Sequence, residues 1–447
     1  MPAPPEALDL IADLVARAQR AGADAADALL IESAAVSAAQ RLGEPEKVER
    51  AESTDVGLRV FVGRRQACVS STDMTKGALA ELVERAVGMA RAVPEDPDCG
   101  LAAEGEVAKS HPDLDCCDLG EPDAAVLVTR AQRMEAAARA VPGVTNSEGA
   151  EAGWSRSRIT MAASNGFNGF YTITRHSLIV AVLAGEGTGM ERDYDYMSAV
   201  YGDDLESPEE IGRRAGERAV KRLKPRKAKS ARGPVVLDPR VSNSLVSHLA
   251  GAINGSNIAR GTSFLKTKMG ESVFSSGITV ADDPHRMRGL RSRPFDAEGI
   301  ATEKRNVIED GVLKTWLLDL RSARKLNLRT TGHAVRGTSS PPSPAATNLY
   351  MEPGELSPEQ LMAGISSGFY VTELMGFGIN QVTGDYSRGA SGFWIENGEI
   401  GYPVSEVTVA GNLKDMYRNL TPANDLKFRR GVDAPTVLIE GLMVAGQ

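Results

Sequence analysis

The chain has 447 residues, which is enough for two or three domains of roughly 150 residues each. Hydrophobic residues make up 42% of it, and its 51 basic and 59 acidic side chains give a net charge of -8. This composition excludes an intrinsically disordered chain, and its acidity disfavours a nucleic-acid-binding function.

The N-terminus lacks a basic start followed by an apolar run, so we expect no signal peptide. The best apolar stretch, residues 177–185, is of strand length and far short of the roughly 18 residues of a membrane span. These features predict a cytoplasmic protein without a membrane segment.

The four cysteines lie in the first third of the chain and have no C-x-x-C spacing. They predict reduced thiols rather than a disulfide framework or a zinc ribbon. Acidic residues surround Cys116 and Cys117, and negative charge disfavours a nucleophilic thiolate.

Helical and strand patterns alternate in the first half of the chain. Apolar residues at helical spacing predict helices over residues 5–21, 76–92, 124–140 and 206–223. Alternating patterns predict short strands within residues 25–71, and strands over 144–154, 157–163 and 167–183. The Asn165-Gly166 pair between the last two predicts a hairpin.

A basic run over residues 221–232 follows the last of these helices. Seven of its twelve residues are basic and none is acidic, which is more typical of a solvated linker than of a nucleic-acid patch in an acidic chain. We therefore predict an N-terminal domain of mixed helices and strands at residues 1–223 and a C-terminal domain at residues 224–447.

The C-terminal half begins with a predicted strand at residues 235–237 and a helix at 239–254, which Asp238 caps and Pro239 starts. Asp-Gly and Asn-Gly pairs inside residues 307–313 and 394–400 predict two tight hairpins. One further helix is predicted at residues 358–365. The fold class is therefore α+β, with a predominantly antiparallel β C-terminal domain.

No two of the five histidines lie one helical turn apart, so the chain has no local His-His zinc motif. His248 is on or next to the apolar stripe of the predicted helix 239–254. It can be read as a packed histidine or as a ligand or base.

Two segments are rich in serine. Residues 364–368 match G-x-S-x-G, but a nucleophile elbow needs a strand before the serine and a helix after it, the reverse of the predicted order. The proline-rich loop 337–344 follows His333 and carries Ser339 and Ser340. These three residues are candidates for gripping an extended peptide.

Five motifs occur in order in the C-terminal half, at residues 264–274, 293–299, 347–350, 382–400 and 434–442. Together they are specific and resemble the TldD/PmbA family, with the closer match to its PmbA (TldE) branch. The resemblance covers nearly the whole chain. The resemblance implies a two-domain α+β protein and a cytosolic peptidase assembly that degrades or matures small unfolded peptides, including microcin precursors.

The TldD branch of this family carries H-E-x-x-x-H on a helix and a cysteine near the C-terminus. The matching stretch here is residues 248–253, where His248 remains, Leu249 stands in place of the glutamate and Ile253 in place of the second histidine. No cysteine follows Cys117. The resemblance therefore implies a chain with no metal of its own, beside a TldD-like subunit that supplies zinc and base.

Three functions stay open from the sequence. The first is a PmbA/TldE-like subunit that helps enclose a chamber and hold an unfolded peptide. The second is a non-hydrolytic peptide-binding modulator, and the third is a stand-alone hydrolase with a dispersed site around His248 or His333. The isolated chain could also form a homodimer.

Overall fold

A computed structural model describes residues 5–446 of the chain. Residues 1–4 and 447 lie outside the described part, and with them the start of the segment on which the signal-peptide prediction rests. Within residues 5–446, none of the helices combines the length and apolar character that crossing a bilayer requires.

The described residues form nine α-helices and nineteen strands. The helices are α1 Pro5–Arg20, α2 Lys76–Ala92, α3 Ala124–Arg139, α4 Pro208–Lys221, α5 Pro239–Ala252, α6 Gly255–Ala259, α7 Leu320–Lys325, α8 Pro358–Met362 and α9 Leu413–Arg418. The strands are β1 Ala25–Arg41, β2 Glu44–Val62, β3 Arg65–Ser71, β4 Val144–Ala163, β5 Asn168–Ala184, β6 Glu191–Ala199, β7 Ala231–Leu237, β8 Val280–Asp282, β9 Arg305–Glu309, β10 Val312–Leu313, β11 Ala334–Val335, β12 Ser343–Pro344, β13 Leu349–Met351, β14 Ser367–Met375, β15 Asp385–Glu396, β16 Glu399–Asn412, β17 Leu420–Pro422, β18 Val432–Asp433 and β19 Val437–Ala445.

The N-terminal part is one antiparallel sheet of six strands in the order β3-β2-β1-β4-β5-β6. Helices α1 to α4 cover one of its faces. Along β1, Ala28 and Val36 point to the helices, whereas Leu29 points to the opposite face. This alternation follows from the two-residue period of a strand.

The predicted helices of this part are confirmed to within two residues at each end, and Ser207 caps α4 rather than belonging to it. The predicted Asn165-Gly166 hairpin is confirmed between β4 and β5. The prediction of two strands over residues 144–163 is wrong, because unbroken pairing with β1 makes them one strand. The strands β1 and β2 have 17 and 19 residues, much longer than the short segments predicted.

The C-terminal part is built around a sheet that closes on itself. The strands β7, β14, β15, β16 and β19 form a ring, because β16 pairs with β19 as well as with β15. A second sheet has the order β10-β9-β8-β13-β18. Most pairs are antiparallel, which confirms the predicted α+β class; β7–β14 and β13–β18 are parallel exceptions. Helix α5 contacts strands of both sheets.

Both predicted tight hairpins of the C-terminal part are present. Asp310 and Gly311 have φ of 46° and 77° between β9 and β10, and Asn397 and Gly398 have φ of 51° and 85° between β15 and β16. Positive φ at both central residues is the type I′ geometry, which favours Asn or Asp followed by Gly.

The open face of the N-terminal sheet packs against the C-terminal part. Leu29 and Met161 of the sheet form one apolar cluster with Phe167 and with Phe295 from the C-terminal part. The rings of Phe167 and Phe295 meet edge to face, with centroids 5.0 Å apart. This contact joins the N-terminal sheet to the C-terminal part through residues that are far apart in the chain.

A buried charge cluster lies beside this contact. The Asp27 carboxylate of β1 pairs with Arg59 of β2 and with Arg336 of the C-terminal part, whose Nη1 lies 2.6 Å from Asp27 Oδ1. All three side chains are almost fully buried. The two guanidinium groups hold the pKa of Asp27 below its usual value even though burial opposes this.

We predict that Asp27→Asn destabilises the protein by about 3–5 kcal/mol, because it leaves two buried arginines without their counter-charge. Urea unfolding followed by circular dichroism measures this loss. Arg50→Met is the control: its ion pairs with Glu52 and Glu121 are exposed and screened by solvent, so we expect no comparable loss. Equal losses in the two variants would contradict the prediction.

Glu298, at the same interface, makes the free energy of unfolding depend on pH. Burial, and then the charge of Asp296, raise its pKa to about 8. Because this exceeds the ordinary value of about 4.3, the folded state holds a proton that the unfolded state releases. The stabilisation that Glu298 provides is complete below the pKa of this residue in the unfolded chain, and it disappears as the pH rises towards 8.

We therefore expect the wild type to lose unfolding free energy relative to Glu298→Gln as the pH rises from about 5 to about 8. The variant cannot ionise at this position, so it lacks this slope. Urea unfolding of both proteins at several pH values in this window provides the measurement. Parallel pH dependence of the two proteins would rule the prediction out.

Candidate functional site

Helix α5 carries the one histidine that the sequence placed on a helix. Asp238 starts the helix by accepting the backbone N–H of Arg240 at 2.9 Å, and Pro239 occupies the first position. Leu245 and Leu249 of the helix are fully buried in the main apolar cluster. His248 is therefore held on the half-buried flank of a rigid helix.

His248 lies in an environment that keeps its ring neutral. Its ring meets that of Tyr386 edge to face, with centroids 6.2 Å apart. Burial, and then the positive charge of Arg388, lower the pKa of His248 to about 4. Its Nε2 atom is buried and has no hydrogen-bond partner within residues 5–446.

Tyr386 and Arg388 approach His248 from strand β15. They are two residues apart on the strand, so their side chains leave the same face. The Tyr386 hydroxyl and Arg388 Nε are buried without a hydrogen-bond partner in the described part of the chain. Arg388 Nη2 donates to the Leu374 carbonyl at 3.3 Å, and among the described residues no carboxylate forms an ion pair with Arg388.

Gln381 approaches the same helix, α5, from the loop between β14 and β15. The loop comes close to α5 at Gly251, where an added Cβ would lie 3.1 Å from Gln381 Nε2. The Gln381 backbone carbonyl accepts the N–H of Phe264 at 2.9 Å, which fixes the loop. Its Oε1 is buried without a partner in the described chain. His248, Gln381, Tyr386 and Arg388 are called the polar cluster below.

A cavity of about 350 Å³ is lined by residues that contact α5 and the Gln381 loop, but by none of the four residues of the polar cluster. Its wall includes Phe264, whose backbone N–H donates to the Gln381 carbonyl. It also includes Tyr417, whose hydroxyl donates to the Leu245 carbonyl of α5 at 3.0 Å. The charged residues of its wall are three basic and one acidic: Lys268, Lys414, Arg418 and Asp415. The region therefore has an excess of positive charge.

The loop that carries Gln381 also exposes apolar side chains. Phe377 is fully exposed, and about half of the Met375 and Val382 side chains is exposed. Large apolar side chains grouped on one protruding loop are typical of a surface that contacts another molecule.

The residues around His248 do not fit a catalytic metal ion. Leu249 and Ile253, at the positions where the TldD-branch motif has its glutamate and second histidine, are fully buried in the apolar cluster. The Arg388 charge beside His248 repels a cation. Within residues 5–446, no group of three or more His, Cys, Asp or Glu side chains is arranged to hold a metal.

The other candidate residues lie elsewhere. His333 is 1% exposed and its ring bonds Thr331 Oγ1 at 2.8 Å and Asp282 at 3.2 Å, so no ring surface faces solvent. Ser339 and Ser340 are exposed on the loop that follows. They lie in a different segment from the polar cluster.

The serine motif and the cysteines have no catalytic geometry. Ser366 follows a helix and precedes strand β14, which is the wrong order for a nucleophile elbow. All four cysteines are free thiols. Burial, aided by the charges of Asp115 and Asp113, raises the pKa of the Cys116 thiol to about 11.

Sequence reasoning found His248 but missed the other three members of the polar cluster. Tyr386 and Arg388 lie inside residues 382–400, a segment whose sequence indicated the family but no site residue. Their two-residue spacing on a strand was the available signal, since it places both side chains on one face. Nothing in the sequence indicated that this face meets α5.

Family models match almost the entire chain. They are described as PmbA/TldA metallopeptidase domain 1, central domain and C-terminal domain, and they match residues 26–90, 117–223 and 230–446. The fold and these matches define an α+β protein of a metallopeptidase class.

Relatives agree with these models. Metalloprotease PmbA of Escherichia coli O157:H7 is 40% identical over 95% of this chain and 93% of its own length, and a PmbA homologue of Haemophilus influenzae is 34% identical over 96% and 94%. This chain belongs to the PmbA/TldD metallopeptidase family, which confirms the resemblance to its PmbA branch.

Solved structures share the fold over their full length. A Bacteroides thetaiotaomicron protein has a TM-score of 0.92 at 29% identity, with 99% of this chain and 100% of that chain covered. TldE of Thermococcus kodakarensis has a TM-score of 0.88 at 21% identity, covering 98% and 100%, and this match shows the fold alone.

We expect nuclear magnetic resonance titration of the His248 ring to give a midpoint near pH 4, against the ordinary histidine value of about 6.5. In Arg388→Met the midpoint should rise, because the repelling charge is gone, but stay below 6.5 because burial is the larger cause. A wild-type midpoint of 6.5 or higher would contradict the packing described for His248.

Proposed function

We propose that this chain is the PmbA/TldE-like subunit of a cytoplasmic TldD–TldE-type metallopeptidase that degrades or matures small unfolded peptides. In this proposal a TldD-like partner holds the zinc ion and the catalytic base. The present chain completes the chamber and binds the peptide.

One observation carries the proposal: the α5 positions that would have to supply ligands point into the apolar core. Metal-assisted peptide hydrolysis needs several ligands and a base beside the bound water. Around His248 the described residues offer one neutral imidazole and an unpaired arginine. A glutamate at position 249 would be an unpaired charge in the core and would destabilise the fold.

The exposed loop that carries Gln381 supports association of this chain with a TldD-like partner. Phe377 is fully exposed on this loop, so a partner that covers the loop would bury its side chain. Burying such side chains is the main favourable contribution in protein association. A partner at this position would enclose the peptide between the two subunits.

The experiment is a peptidase assay of this chain alone, of a TldD-like chain alone and of their mixture, each with and without a chelator. Unfolded peptides serve as substrates. We expect no chelator-sensitive cleavage by this chain alone and chelator-sensitive cleavage by the mixture. Chelator-sensitive activity of this chain alone would overturn the assignment and favour the stand-alone hydrolase.

Phe377→Ser tests the docking surface in the same assay. We expect it to weaken association with the TldD-like chain by roughly tenfold or more, because a central exposed aromatic side chain is commonly an interface anchor. Val48→Ser is the matched control, since Val48 is an exposed apolar residue on β2, away from this loop. Association can be measured by surface plasmon resonance; equal affinity of the two variants would exclude this loop.

A non-hydrolytic modulator is the second candidate, because the Bacteroides structure is named as a proposed modulator of DNA gyrase. This candidate requires peptide binding and no metal-bearing partner. Stable isolation of the chain from cells without any TldD-like subunit would favour it over the peptidase subunit.

A further inference from the structure

We propose that the free edge of strand β5 binds an extended peptide by strand addition. This inference rests on the proposed function, because it specifies where the chain holds the peptide. Strand β5 pairs with β4 along its whole length, whereas β6 pairs only with its second half, from His176 to Ala184. Residues 168–175 of β5 therefore have a neighbouring strand on one side only.

This edge is closed at both ends. At one end, the Thr174 N–H donates to the Cys116 carbonyl at 3.0 Å, so a segment outside the sheet takes the place of β6. At the other end, Gly169 lies against aromatic rings, and an added Cβ would be 2.9 Å from Phe295 and 3.0 Å from His111. The open part of the edge is the stretch between Gly169 and Thr174.

The backbone groups of Phe170 and Thr172 point to the open part of the edge. In an antiparallel sheet, alternate residues of a strand direct their N–H and C=O to the same side. The Thr174 N–H points away from β4, towards Cys116, so the N–H and C=O of Thr172 and Phe170 also point away from β4. None of these four groups has a hydrogen-bond partner within residues 5–446.

A cavity of about 540 Å³ lies along the same edge. Four consecutive residues of β5, 170–173, line one side of it, and residues 111–117 line the opposite side. Because successive side chains of a strand point to opposite faces, a cavity that touches four residues in a row runs along the strand edge. Its volume is within the range of roughly 300–1,000 Å³ that ligand pockets have. The unpaired backbone groups therefore border a space that a ligand can enter.

An extended peptide is the ligand that these groups match. A strand edge with unpaired N–H and C=O groups is a template for another strand, because the two backbones offer complementary donors and acceptors at the same spacing. Binding through the main chain provides affinity without requiring a particular sequence. This property suits a chain that binds unfolded peptides of varied sequence.

The charge of the cavity favours a basic peptide over an acidic one. The wall contains Asp113 and Asp115 and has no lysine or arginine. Asp115 is paired with Arg288, at 2.6 Å between the Asp115 Oδ2 and Arg288 Nε atoms, whereas Asp113 forms no ion pair within the described residues. A basic side chain that flanks the bound stretch can pair with Asp113.

The test uses the full-length chain and a fluorescein-labelled hexapeptide in which threonine and valine alternate between two terminal lysines. A second hexapeptide carries N-methyl groups on its four central residues, so these residues cannot donate main-chain hydrogen bonds. Fluorescence anisotropy measures the binding of both. We expect the methylated peptide to bind about tenfold more weakly or worse, as the loss of main-chain hydrogen bonds would give. Equal binding of the two peptides, or no binding of either, would overturn the proposal.

Thr172→Pro locates the binding on β5. Proline removes the N–H that faces the cavity and leaves the bonds to β4 in place, as it does on an edge strand. Thr172→Val is the matched control, since it keeps this N–H and a β-branched side chain. We expect Thr172→Pro to weaken binding of the unmethylated peptide about tenfold and Thr172→Val to leave it unchanged. Equal affinities of the two folded variants would place the peptide elsewhere and reject the site.

Thermal unfolding shows whether each variant is folded. Should Thr172→Pro fail to fold, hydrogen exchange of the wild-type chain decides. The bound peptide should slow exchange at the Phe170 and Thr172 amides, because it makes hydrogen bonds with them. Unchanged exchange at these two amides with the peptide bound would reject the site.

The outcome is separable from that of the partner assay, because binding is measured on this chain alone. Chelator-sensitive cleavage by the mixture without peptide binding at β5 would reject this site and keep the subunit assignment. Peptide binding at β5 without cleavage by the mixture would reject the subunit assignment and keep this site.

Discussion

The position of α5 between two sheets is the constraint on which the site depends. The helix contacts β7 and β14 of the closed ring and β13 and β18 of the second sheet, so its inner face has to be apolar. Leu249 and Ile253 lie on that face. A polar side chain buried on this helix needs a hydrogen-bond partner, as Ser242 has in the Pro435 carbonyl at 2.7 Å, whereas His248 lies on the half-buried flank.

In the proposed function, in which this chain holds no metal, the packing of α5 explains how the fold stays stable without metal ligands at these positions. Replacing acidic and imidazole ligands by leucine and isoleucine removes groups that are costly to bury and adds apolar area. Apolar side chains at these two positions therefore stabilise the fold more than metal-ligand side chains would. The polar side chains beside α5 come from elsewhere in the chain: Arg388 and Tyr386 from β15, and Gln381 from the preceding loop.

Buried charge occurs in two different settings in this protein. At the interface between the N-terminal sheet and the C-terminal part, Asp27 pairs with both Arg59 and Arg336, and these ion pairs join the two parts. Beside α5, Arg388 forms no ion pair among the described residues.

The sequence by itself determined the local elements, the family and the missing ligands. Caps such as Asp238, Asn-Gly and Asp-Gly turns and apolar periodicity act over a few residues, so they can be read without the fold. Only the tertiary structure decided the closure of the ring, the continuity of β4 and the burial of His333. It alone brought Gln381, Tyr386 and Arg388 to His248, because contacts between residues more than a hundred positions apart depend on how the sheets pack, and no local pattern records that.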